Sequence, residues 1–295
     1  MSELGLGTAQ LGLPYGVSNH TGQPSEDEAV AILASALNSG IRTIDTAPAY
    51  GDSEELLGRL LPAGAAVRIV TKTAPLSGGE VSEDDRDAVR RSAERSLERL
   101  RRDRLDALLV HHGSDLALPG GERLAGTLVE LRDSGVVRRL GASVYDRAEL
   151  DAVRERLPLD LVQLPLNAFD QRFLRDGTLE ELQRKGVEVH VRSAFLQGLL
   201  LMDPERLPAH LAAAEQPLRR LHEERLRAGL GPIEAALGFV DGAPGVDVAL
   251  VGTNSVAELE QCVTARRGRP APDMDYASLA VEDPDLIDPR RWPTP

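Results

Sequence analysis

A single cysteine, Cys262, in a chain of 295 residues leaves no partner for an intrachain disulfide and no thiolate set for a zinc site, which suits a reducing compartment. Aromatic residues are scarce as well, at 3% against 42% hydrophobic, so the core must be filled mainly by Leu, Val, Ile and Ala, the side chains that pack a barrel in layers. Basic residues are outnumbered, 34 Lys and Arg against 47 Asp and Glu, for a net charge of -13. Such a surface repels phosphate backbones and anionic headgroups, so neither a nucleic acid nor a membrane is the expected partner. No uninterrupted apolar run approaches the ~18 residues of a membrane span, and Met1 to Gly5 does not lead from a basic segment into an apolar core. The expectation is a cytoplasmic protein.

What is present is an alternation of short apolar runs with helical stripes. The Gly-rich start, residues 4–13, predicts a short first strand and loop; it lacks the Gly-x-Gly-x-x-Gly spacing of a dinucleotide fingerprint. Ser25 is an N-cap with Glu28 three residues on, and Ala29, Ile32, Leu33, Ala36 and Leu37 form one face of a helix ending at Gly40. Strands are expected at 41–45, 67–72, 105–112, 137–143, 159–163, 187–192 and 246–251. Helices are expected at 53–61, 82–100, 123–134, 147–157, 173–185, 216–228, 232–240 and 255–266. Counting the start as a strand, eight strand–helix pairs follow one another with no linker or charge block, which predicts one domain over residues 1–295. The predicted fold is α/β, a closed (β/α)8 TIM barrel, with an open doubly wound sheet as the alternative. Residues 268–295, proline-rich and holding Trp292, read as an irregular tail packed on the barrel.

Strand 41–45 ends on a carboxylate, Asp45, with Tyr50 five residues later and a helix start at Ser53. The next two strands end on Lys72 and on His111 with His112. Taken singly, each has an ordinary reading: Asp45 as a turn former, Tyr50 as packing, Lys72 as a solvated strand end, His111 as a hydrogen-bonded core residue. Together they stand at consecutive strand ends, the face of a barrel where ligands bind. A phenol titrates near ~10, and a neighbouring ammonium favours its phenolate form. Lys72 would supply that charge, Asp45 would orient Lys72, and His111 would bind a substrate oxygen or relay its proton. No metal is expected, since His20, His112, His190, His210 and His222 show no ligand spacing.

The stretch Asp45-Thr-Ala-Pro-Ala-Tyr50-Gly-Asp-Ser-Glu-Glu-Leu-Leu-Gly58 resembles the active-site signature of the aldo-keto reductase family, and the resemblance extends over nearly the whole chain. It implies an NAD(P)-dependent oxidoreductase acting on a small carbonyl or alcohol, with Tyr50 as general acid or base. It also implies cofactor contacts. Gly141-Ala-Ser143 and Gln163 match the positions that hold the nicotinamide carboxamide, although Val144 stands where the family usually has Asn. Arg192 stands where an aromatic often stacks on the ring. Ser193 and the backbone around Leu196 and Gly198 match a pyrophosphate-binding segment. Val251-Gly252-Thr-Asn254-Ser255 matches the segment before the last helix, with phosphate binding and simple capping by Ser255 both open. The implied cofactor is NADP with NAD possible, because Asn254 and Glu258 replace the usual basic grip on the 2'-phosphate, unless Arg266, Arg267 or Arg269 reaches it. Tyr15, Phe195 and the tail near Trp292 are candidates for the substrate pocket, with ordinary packing as the alternative. Two other readings of the same site are a redox-neutral elimination or epimerisation and a cofactor-binding regulatory subunit.

Overall fold

The computed structural model describes residues 1–62, 64–266 and 273–292. Eight parallel strands close into a barrel in chain order: β1 (Glu3–Gly7), β2 (Thr43–Asp45), β3 (Arg68–Lys72), β4 (Ala107–Val110), β5 (Leu140–Ser143), β6 (Leu161–Pro165), β7 (Glu188–Arg192) and β8 (Val248–Gly252). β1 pairs with β8, Gly5 opposite Leu250, so the sheet has no free edge. This is the (β/α)8 barrel expected from the alternation, not the open sheet. Some of the helices between strands are started by side-chain caps. Ser25 accepts from the Glu28 amide, Ser82 and Asp85 form a reciprocal capping box, and Asp146 caps the helix Arg147–Arg156.

Strand periodicity sorts side chains into layers inside the barrel. Successive residues face opposite sides of a strand, so β3 sends Arg68, Val70 and Lys72 inward at rising levels while Ile69 joins the core under the helices. At the lower end Arg68 donates to Glu188 Oε1 (2.9 Å) and to Thr43 Oγ1 (2.7 Å), and Arg139 also pairs with Glu188. Burial alone would raise the Glu188 pKa, but His190 and Arg139 outweigh it and hold the carboxyl at about 2. Above this ionic floor Val70, Ala107, Leu109 and Leu161 form a small apolar plug. Charged groups reappear only at the upper mouth. The barrel is therefore packed through its middle and open at one end.

Several elements depart from the expected pattern. Residues 9–12 of the Gly-rich start form a helical turn, Ala9–Gly12. The expected helix 173–185 is broken into Arg172–Arg175 and Thr178–Arg184 by Gly177, whose φ of 77° leaves the helical region. β4 stops at Val110, and a 3-10 turn, Gly113–Ala117, follows the two histidines. Part of the tail, 268–272 and 293–295, lies outside the described residues. Its described part forms short helical turns on the barrel, with Tyr276 Oη donating to the Ala235 carbonyl (2.7 Å) and Trp292 Nε1 to that of Leu286 (3.2 Å).

At Gly141 a Cβ would press on the Leu161 carbonyl oxygen and the Leu109 side chain inside the plug. Gly141→Val is expected to destabilise the chain by about 3 kcal/mol through overpacking, read as a lower urea midpoint.

Candidate active site

The mouth is built from strand ends. Lys72 donates from Nζ to both carboxylate oxygens of Asp45, each at 2.8 Å, and to the Thr46 carbonyl at 2.9 Å. Gln163 Nε2 donates to Asp45 Oδ1 at 2.7 Å, so three strands, β2, β3 and β6, meet on one carboxylate. Lys72 is 1% exposed. Two charges so deeply buried persist only because each satisfies the other.

Tyr50 lies on the turn after β2, and this turn is sewn to the first strand. Thr8 Oγ1 donates to the Asp45 carbonyl (2.9 Å), Ser53 Oγ donates to Thr8 Oγ1 (2.7 Å), and Thr46 and Ser53 share a further bond at 3.1 Å. Gly12 packs so closely on the Tyr50 carbonyl that no Cβ would fit there. The phenol ring is thereby placed with its centroid 4.8 Å from Lys72 Nζ, and the His111 ring meets its edge at 5.9 Å between centroids, nearly perpendicular. The structure thus brings Asp45, Tyr50, Lys72 and His111 together around one cavity.

The electrostatics differ in one respect from the expectation of a lowered phenol pKa. Burial, then the Asp45 carboxylate, raise the Tyr50 pKa well above its ordinary 10, and Arg192 only partly offsets them. The physical reason is that Lys72 is committed to both oxygens of Asp45. Burial lowers the Lys72 pKa while Asp45 pulls it back up. His111 falls from its ordinary 6.5 to about 3, chiefly by burial and then by the Lys72 charge, so its imidazole is neutral. Its Nδ1 is buried without a hydrogen-bond partner and available to a ligand atom. Tyr50 is accordingly a protonated donor beside a neutral imidazole.

The cavity, about 630 Å³, also takes in Ser143, Gln163, Arg192, Ser193, Gly198, Gly252 and Asn254 of the expected cofactor set. Its volume is that of a small-molecule site. Leu196 and Ser255 do not line it. The Leu196 side chain is packed in the core, leaving only its backbone, at a positive φ of 48°, to the loop. Ser255 accepts from the Glu258 amide as a helix cap. Residues 193–198 form a strained turn after β7, with Ser193, Leu196, Gln197 and Gly198 all at positive φ. Asn167 pins this turn, donating to the Ser193 carbonyl at 3.1 Å. Arg266 pairs with Asp241 and Ser2 at the opposite end of the barrel, away from Asn254; Arg267 and Arg269 lie outside the described residues. Tyr15 and Phe195 line the cavity, and so does the tail near Trp292, through Pro289 and Arg290 rather than through Trp292 itself.

Four contributors went unread in the sequence. Thr253, whose Oγ1 is buried without a partner, lies inside a stretch already singled out. Asn167 had no signal beyond following β6. Arg290 lay unnamed in the tail already singled out, and Tyr145 had no signal, because they meet only in space: Arg192 stacks on the Tyr145 ring (3.8 Å) and Arg290 also lies over that ring (3.4 Å). The polar groups of Ser143 and Gln163 and the orphaned Thr253 Oγ1 fit a ligand with an amide at one end and further polar groups at the other, while Gly198 is packed against the Ser18 side chain.

The sequence matches the model of the Aldo/keto reductase family over residues 3–280. Aldo-keto reductase YhdN of Bacillus subtilis is 29% identical over 286 residues, covering 88% of this chain and 83% of its own. L-galactose dehydrogenase of Arabidopsis thaliana is 28% identical, with 100% and 94% covered. Among solved structures, aldo-keto reductase AKR11C1 of Bacillus halodurans in its holo form superimposes with a TM-score of 0.75 at 21% identity, covering 98% of this chain and 95% of its own, a likeness of fold.

Lys72→Met would leave the Asp45 carboxylate buried without a counter-charge, an expected loss of about 3–5 kcal/mol in urea denaturation, largely recovered in the Lys72→Met/Asp45→Asn double variant. His111 yields a pH prediction. As pH falls from 6.5 toward about 3, the unfolded chain takes up a proton that the folded chain refuses, so stability declines across that window. A His111→Phe variant should show a flatter stability curve there, measured by thermal denaturation at stepped pH.

Proposed function

This chain belongs to the aldo/keto reductase family and is an NAD(P)-dependent oxidoreductase, and from that premise we propose that it reduces an aldehyde or ketone to the alcohol, or runs the reverse oxidation, with Tyr50 as general acid and base. The observation that carries this reading is the phenol of Tyr50 held over a buried Asp45–Lys72 pair with a neutral imidazole at its edge.

When bound, the nicotinamide supplies hydride to the carbonyl carbon. Everything else falls to the chain's own residues. As negative charge develops on the substrate oxygen, Tyr50 gives up its proton, and the phenolate that remains is stabilised by Lys72. Asp45 keeps Lys72 in place, and Gln163 keeps Asp45 in place. His111 offers a ring nitrogen to the substrate oxygen, orienting the carbonyl toward the phenol. Ser143 and Gln163 would meet the carboxamide, Arg192 would border the ring, and Ser193 with the backbone of Leu196 and Gly198 would meet the pyrophosphate. Gly252 and Asn254 would lie at the far phosphates by the start of the last helix, which Ser255 caps. The cofactor is proposed to be NADP, with NAD the alternative; Asn254 and the Glu258 carboxylate, in place of a basic residue, narrow the preference.

Tyr50→Phe is expected to lower kcat for carbonyl reduction by about 10²–10⁴-fold, with NADPH and NADH affinities, followed by fluorescence titration, nearly unchanged. Turnover like that of the unmodified chain would remove Tyr50 from its role. Cofactor binding with no turnover across a panel of aldehydes and ketones would move the assignment to redox-neutral chemistry or to a regulatory subunit.

A further inference from the structure

Among the described residues three cations, Lys72, Arg192 and Arg290, face the cavity, and two are neutralised. Lys72 is held by Asp45, and Arg290 by Asp288 (2.6 Å) and Glu149 (3.2 Å). Arg192 is the third, and among the described residues it has no carboxylate partner. Its Nε donates to Ser143 Oγ (3.3 Å) and its Nη2 to the Val144 carbonyl (3.1 Å), which leaves three of the five N–H donors of a guanidinium unused. Stacking on Tyr145 at 3.8 Å fixes the plane of the group, and Arg290, already neutralised, also packs over that ring. Asp288 lies near enough to feel the Arg192 charge without forming an ion pair with it, so a half-buried, oriented guanidinium with free donors can take an incoming anion by two parallel hydrogen bonds.

From this placement we propose that the carbonyl substrate carries an anionic group, a carboxylate or a phosphate, and that Arg192 binds it. The proposal rests on the reductase reading and names the substrate class of that site. Arg192 is also close enough to the reacting groups for its charge to act on Tyr50, Lys72 and His111. A substrate held there would present its carbonyl to the phenol.

The test is steady-state reduction of two matched pairs: succinic semialdehyde against its methyl ester, and glyceraldehyde 3-phosphate against glyceraldehyde. Each is run with whichever nicotinamide the chain binds. At least one charged member should exceed its neutral partner in kcat/KM by about ten-fold or more, through KM, with the ratio shrinking at higher ionic strength. Which pair shows it distinguishes carboxylate from phosphate. In Arg192→Met the ratio should fall toward one, and Arg192→Lys should restore part of it. Equal efficiency within both pairs, or a ratio that survives in Arg192→Met, overturns the proposal. So does a ratio unchanged while cofactor affinity alone weakens, which would give Arg192 to the cofactor. No turnover of any pair with either nicotinamide overturns the reductase reading itself, and this proposal with it.

Discussion

The contact between Lys72 and Asp45 is the constraint around which the mouth of the barrel is arranged. An ammonium and a carboxylate buried this deeply are tolerated only with full mutual satisfaction, and here both carboxylate oxygens, the Thr46 carbonyl and the Gln163 amide supply it. That requirement ties β2, β3 and β6 to a common level. It also determines the character of the phenol above. With Lys72 spent on Asp45, the Tyr50 hydroxyl feels burial and a nearby carboxylate more than a free cation, and it stays protonated. The same pair that would stabilise a phenolate in the proposed reaction keeps the resting group protonated.

The lower end of the barrel is built by the same logic with opposite consequences. Arg68 and Arg139 neutralise Glu188 inside the strands, His190 hydrogen-bonds the same carboxylate, and the apolar plug above them separates this floor from the mouth. At the floor the Glu188 carboxylate has its partners within the barrel, while His190 Nδ1 is buried without one. At the mouth His111 Nδ1 and Thr253 Oγ1 are buried without a partner and line the cavity, where a ligand atom can reach them.

The C-terminal segment contributes to the mouth. Arg290 comes from a short turn laid across the barrel, pairs with Asp288 and Glu149, and covers Tyr145. Tyr145 in turn sets the plane of Arg192. The tail expected as a candidate for the substrate pocket thus helps to shape the wall beside Ser143.

The sequence by itself determined the alternation of strands and helices, hence the barrel, and the identity of Asp45, Tyr50, Lys72 and His111. Period-2 and period-3.6 patterns, caps and strand-ending charges are local, so they can be read residue by residue. Helix breaks were less readable, as at Gly177, because a glycine inside an apolar stripe signals a break only through its φ. Tertiary structure alone decided the rest. It placed Ser255 and Leu196 outside the cavity, sent Arg266 to the far end, and joined Tyr145 with Arg192 and Arg290. It also turned the expected acidic phenol into a well-protonated one. These outcomes depend on which groups lie within a few ångströms after folding, and on how little water remains between them. Neither quantity is written in the order of residues.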